Sequence, residues 1–169
     1  MSIVVSASSL VKTSFNFTET LSSTIRSENE SVSANRSYAY GSGNFEIDAA
    51  VKSTGVLPSG GATIFNLNAM QNESFGKSST VAFSGIKTIT VSNTSTVQGR
   101  DINIRATGSN AFTNLFNGGS GNLLIKPYSS FSYNDPYGLD VTSTQKNISL
   151  FDVSGSGASY EICVLGNLS

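Results

Sequence analysis

Apolar residues two apart, cut off by short polar breakers, are the feature that most constrains this chain. Between Thr80 and Tyr133 the pairs Val81/Phe83, Ile89/Val91, Ile102/Ile104, Leu123/Ile125 and Phe131/Tyr133 follow one another. Side chains two apart share one face of a strand, so each pair offers an apolar edge to a common core. Ser84-Gly85, Ser92-Asn93-Thr94, Gly118-Gly119-Ser120-Gly121 and Asn134-Asp135-Pro136 end the runs. Nothing in this stretch has the three-to-four residue spacing of a long helix. The expected fold class is all-β.

The same grammar extends to both ends. Val11, Thr13, Phe15 and Phe17 alternate as in a strand. Residues 19–37 are the most polar part, and read as a long exposed loop with a weak strand near Ser22–Arg26. Phe45, Ile47, Ala49 and Val51 form the cleanest period-two run, with Glu46 and Asp48 on the opposite face. Ala62–Asn68 reads as a strand with Ile64 or Phe65 and Leu67 inward. Residues 69–77 read as a helical turn or loop. Ile148/Leu150 and then Phe151/Val153 change phase, which predicts a bulge. Gly155-Ser156-Gly157 reads as a hairpin turn before Tyr160, Ile162 and Val164. About ten strands at this spacing predict one domain, an antiparallel two-sheet β-sandwich of jelly-roll-like type. Residues 1–37 form its N-terminal arm, strand and polar loop, and 38–169 its core.

Composition narrows the function. With 169 residues the chain buries enough surface to fold without staples. Charged residues are 12% and the net charge is −1, while Ser, Thr and Asn exceed a third of the chain. Nucleic-acid binding leans on a basic excess that is absent here. Neither an apolar run of ~20 residues nor a basic membrane-surface helix is present. Met1–Leu10 lacks the basic start and apolar stretch of a secretory signal. No nucleic-acid or membrane partner is expected.

The chemical toolkit is sparse. The chain has no histidine and a single cysteine, Cys163, which reads as a small core residue. Ser-His-Asp and Cys-His catalysis and Cys/His zinc sites are therefore ruled out in their usual forms. Gly118–Gly121 lacks the Lys and Ser/Thr of a phosphate loop. Glu46 and Asp48 lie roughly 7 Å apart on one strand face, and offer the one carboxylate pair for glycoside hydrolysis or a hard cation. Asp135 and Asp140 match no calcium loop, and an Asx turn before Pro136 accounts for the first. No enzyme activity, cofactor or metal is expected. Tyr38, Tyr40, Tyr128, Tyr133 and Tyr137 are aromatic anchors suited to a sugar or to a protein interface.

A sequence of segments runs from Tyr38-Ala-Tyr-Gly-Ser-Gly-Asn-Phe-Glu-Ile-Asp through Leu57-Pro-Ser-Gly-Gly and Val81-Ala-Phe-Ser-Gly-Ile-Lys-Thr-Ile-Thr-Val. It continues through Leu123-Leu-Ile-Lys-Pro-Tyr and Asp135-Pro-Tyr-Gly to Ala158-Ser-Tyr-Glu-Ile-Cys-Val-Leu-Gly. This layout, over about residues 38–166, resembles small structural proteins of tailed bacteriophages, including cyanophages, some of which resemble capsid cement or decoration proteins. Residues 1–37 share no part of it. The resemblance implies a virion protein on the capsid surface, without catalytic residues. Its expected partners are the major capsid protein and further copies of itself in a homotrimer. Ile3, Val4, Val5, Arg26, Arg36, Tyr38, Tyr40 and Tyr137 are the expected contact residues. The alternative is a tail, fibre or baseplate adhesin for a host-surface glycan, and a carbohydrate-active enzyme using Glu46 and Asp48 comes third.

Overall fold

The computed structural model describes residues 7–21, 24–74, 77–119 and 121–169, with side chains for 38–39, 41–72, 78–119 and 121–169. Ile3, Val4 and Val5 lie outside the described residues. Thirteen strands carry the described chain. They are β1 (Ala7–Leu21), β2 (Thr24–Tyr40), β3 (Glu46–Ile47), β4 (Ala49–Val56), β5 (Ala62–Asn66), β6 (Met70–Ser74) and β7 (Lys77–Val81). After them come β8 (Phe83–Asn93), β9 (Ile102–Arg105), β10 (Asn122–Ile125), β11 (Ser130–Asp140), β12 (Asn147–Asp152) and β13 (Ser159–Leu168). One 3-10 turn, Thr113–Phe116, interrupts the run between β9 and β10.

Eight of these strands form two four-stranded sheets, ordered β4-β13-β8-β11 and β5-β12-β9-β10. Numbered by their place among those eight, the orders are 1-8-3-6 and 2-7-4-5. First pairs with last, second with seventh, third with sixth and fourth with fifth, all antiparallel. This is the rolled double Greek key of a jelly roll, so the expected sandwich is the observed one.

The sheets meet through the period-two residues. Val51, Ile89, Val91, Ile162 and Val164 come from one inner face, and Ile102, Ile104, Ile125, Ile148 and Leu150 from the other. All ten are buried. Phe65 of β5 and Tyr160 of β13 cross between the sheets edge-to-face at 5.6 Å. At about 25 cal/mol per Å² such burial dominates the stability of the domain.

Several local expectations are corrected. Residues 24–40 are a strand, and β1 and β2 pair from Ala7↔Tyr38 to Leu21↔Thr24, because β1 supplies the ladder that polar residues lack alone. Met70–Ser74 and Lys77–Val81 pair antiparallel as β6 and β7 rather than forming a helical turn or loop. Ser84-Gly85 lies inside β8, between β13 and β11, and Asn134-Asp135-Pro136 lies inside the edge strand β11, where the register with β8 shifts between Asn134 and Leu139. Gly166 of β13 is needed beside Gly85, since a Cβ on Gly166 would strike the Gly85 carbonyl oxygen. The bulge expected at Leu150–Phe151 is absent, and β12 pairs without a register shift. Phe151 instead lies half-buried on the outer face with the Arg105 guanidinium 3.6 Å from its ring centroid. Gly155–Gly157 is a crossover between sheets, not a hairpin, because β12 and β13 belong to different sheets. Cys163 is half-buried on an outer face, not in the core.

Candidate functional site

The base of the β1/β2 hairpin gathers most of the unusual residues of the molecule. Among the described residues, β2 pairs beyond β1 only with β3, in parallel, through Ala39↔Glu46 and Tyr40↔Ile47. Ala39 N donates to Phe45 O and Gly41 N to Ile47 O, both at 3.0 Å. Glu46 and Asp48 serve this joint and are not displayed as a free pair. The Glu46 carboxylate accepts Gly43 N at 2.7 Å, and that of Asp48 accepts Leu168 N at 2.7 Å. Buried Asn167 of β13 adds two bonds, to Gly41 O at 3.0 Å and Glu46 O at 3.2 Å.

Tyr38 is the first correction among the expected contact residues. Its side chain is buried with Ile47 and Leu165, and Cys163 packs against them. The Tyr38 hydroxyl lies 3.4 Å from Lys87 O and accepts from Thr88 Oγ1 at 3.3 Å. The ring lies over the outer face of β8 at Lys87 and Thr88, while Ile86 and Ile89 are buried in the core between the sheets, so all four are buried in sequence. Tyr38 is a structural plug there, because the arm leaves the sandwich over that face.

Lys87 is the residue that sequence reading missed. Thr88 pairs with Leu165 and Asn134, whereas Ile86 pairs with Gly166 and Leu139. Lys87 thus falls in a bulge with respect to both neighbouring strands, and a bulge re-aims a side chain. Its buried ammonium donates to Pro136 O at 2.8 Å and Tyr137 O at 2.9 Å. Gly138 makes room for it. With φ at +84° and a would-be Cβ 3.1 Å from Lys87 Cδ, the position suits only glycine. A lysine inside Gly85-Ile86-Lys87-Thr88-Ile89, where the run reads as a covered strand, was the available signal.

The loop so held presents Tyr137, 71% exposed. Asp135 shapes it by accepting Tyr137 N at 2.9 Å and the Tyr133 hydroxyl at 3.1 Å. Burial, that bond, and the charges of Asp135 and Tyr38 push the Tyr133 phenol up to about 12. Phe45 N reaches Pro136 O at 3.4 Å, which brings Phe45 beside the same loop. Expected on the inner face with Ile47, Phe45 is 49% exposed at φ +59°, because the turn at Gly43–Phe45 ends the run before β3. A bulky side chain in the left-handed region is uncommon and strained. That backbone contact places two exposed aromatic residues, Phe45 and Tyr137, near the arm's base.

The other expected contact residues sit on or beside the arm. Arg26 pairs across the ladder with Glu19 and Arg36 with Ser9. Tyr40 ends β2, and its side chain is outside the described set. Among the described residues, no group of three or more His, Cys, Asp or Glu side chains converges as a metal site. No helix there is long and apolar enough to cross a membrane.

Fold and site together define an all-β jelly roll with a long two-stranded arm and two exposed aromatic residues near the arm's root. No protein-family model matches the chain, and no curated protein matches its sequence. Among solved structures it is similar to the crystal structure of the Yersinia pseudotuberculosis-derived mitogen. That similarity has 12% identity and a TM-score of 0.34, and covers 70% of this chain and 86% of that one.

Proposed function

We propose that this chain is a non-enzymatic virion structural protein, one that cements or decorates the head of a tailed phage. In this reading it binds the major capsid protein on the capsid surface and trimerises with its own copies. The single observation that carries it is the β1/β2 ribbon, 15 and 17 residues long, joined to the sandwich by pairing only at β3 among the described residues. A two-stranded ribbon by itself is marginal in water and leaves backbone edges open. Such an arm gains its stability by lying on another chain, through edge pairing or through the alternating Val11–Phe17 run. Binding only the assembled shell then stabilises it by mass action over many repeated contacts.

The test uses the full chain and a chain limited to residues 38–169. Each is incubated with particles of the phage that encodes it and recovered by sedimentation, with mass measured by light scattering. The full chain is expected to be trimeric and to saturate the heads. The shortened chain is expected to keep its strand circular dichroism and to lose particle binding. A full chain that stays monomeric at tens of micromolar and leaves every particle bare would end this reading.

A further inference from the structure

At the Asn93 end of β8 the chain builds a second concave surface. Two clefts, of about 560 Å³ and about 350 Å³, share one wall residue, Tyr128. Gln98, Asp101 and Lys126 line the larger cleft with it, and serine and threonine residues line the smaller. Tyr128 is 76% exposed, the highest value among the large hydrophobic side chains of the described residues. It holds that position at φ +62°, in the left-handed region that a bulky residue rarely adopts. Strain of this kind gathers at ligand clamps.

The ring is fixed at both ends. Tyr128 N donates to Asn93 O at 3.0 Å, and its hydroxyl donates to Thr96 O at 3.1 Å. Buried Asn93 ties the cleft walls together. Its amide donates to Arg100 O at 2.7 Å and Ile125 O at 3.0 Å, and its side-chain oxygen accepts Ser95 N at 3.1 Å. Asp101 accepts Lys126 Nζ at 2.7 Å through one oxygen, while its other oxygen is buried and has no protein donor. Among the described residues these two are the only charged ones in the lining, and they cancel.

We infer that this cleft binds a neutral saccharide. The apolar face of a sugar ring stacks on a rigid aromatic side chain. Sugar hydroxyls donate to the Gln98 side-chain oxygen and accept from the Gln98 amide and from the Lys126 ammonium, which Asp101 holds in place. The balanced lining charge favours an uncharged sugar over a phosphate or a sialylated one. This chemistry does not depend on what the arm touches.

The test is saturation-transfer NMR and titration of the full chain with maltotriose, cellotriose, chitotriose and sialyllactose. At least one neutral trisaccharide is expected to bind with Kd below about 10 mM, and more tightly than sialyllactose. Tyr128→Gly removes the ring and relieves the backbone. It is expected to weaken that binding by roughly tenfold or more while the melting temperature holds or rises. Asp101→Asn is expected to weaken binding as well, and Ile64→Ser, on the outer face of β5, to leave it unchanged. Absence of binding by every neutral sugar, tighter binding of sialyllactose, or wild-type binding by Tyr128→Gly would each overturn the assignment.

Discussion

The Lys87 ammonium, buried in the middle of β8, donates at 2.9 Å to the main-chain carbonyl of Tyr137, whose own side chain is 71% exposed. A cation inside the sheet thus positions an aromatic ring on the surface. Tyr38 closes the outer side of the same strand at the root of the arm. The cost of keeping an ammonium out of water is offset by bonds to the Pro136 and Tyr137 carbonyls.

Lys87→Met tests this link. Methionine fills the space and removes the desolvation cost, but leaves the Pro136 and Tyr137 carbonyls without the ammonium. The global loss is expected to be about 1–3 kcal/mol, read from urea denaturation. Amide exchange at residues 135–138 is expected to rise well beyond that of β13. Unchanged exchange in the loop would show that Lys87 does not hold it.

Phe45 sets stability against contact. A left-handed backbone costs an L-residue about 1–2 kcal/mol, and glycine returns roughly 0.5–1 kcal/mol of that through the greater freedom of the unfolded chain. Phe45→Gly is therefore expected to melt at the same temperature or a few degrees higher. It is also expected to bind phage particles more weakly, since the ring beside Tyr137 is gone. A clear drop in melting temperature would mean that the half-exposed ring packs for the fold.

Asp152 sets an acid limit. It is fully buried at the end of β12, where one oxygen accepts Ser154 N and Oγ and the other accepts Gly60 N and Gly157 N. Burial would raise its pKa, but these donors outweigh it and hold the carboxyl down at about 2, against 3.8 for the free group. With the folded value below the unfolded one, its stabilisation is complete above about pH 4 and is lost as pH falls through 2. Asp152→Asn turns an N–H donor toward other donors and is expected to cost about 2–4 kcal/mol at pH 6. Urea midpoints at pH 3 and pH 6 should differ less in the variant than in the native chain. Equal stability at pH 6 would remove Asp152 from this role.

Much of the sandwich was legible in advance. Ile89/Val91, Ile102/Ile104 and Ile162/Val164 are inner-face pairs, as their spacing requires. Misreadings fell where one strand depends on another. Most of residues 19–37 look like a loop until β1 and β2 lie side by side, and Pro136 looks like a strand end until Lys87 holds its carbonyl. The contact residues were legible only as types. Tyr38 and Tyr137 are both loop-like tyrosines in sequence, yet one is a plug and the other a surface ring.

Residue order alone determined which positions face a core, because the two-residue period of a strand is a local property that any partner must respect. It also removed histidine-based chemistry outright. Partner choice among the strands was decided by tertiary structure, since closing a chain end to end differs little in entropy from closing it nearby. Only that rolled pairing of first strand with last brings Tyr38, Phe45, Lys87 and Tyr137 to one root, and Asp101, Lys126 and Tyr128 to the other end.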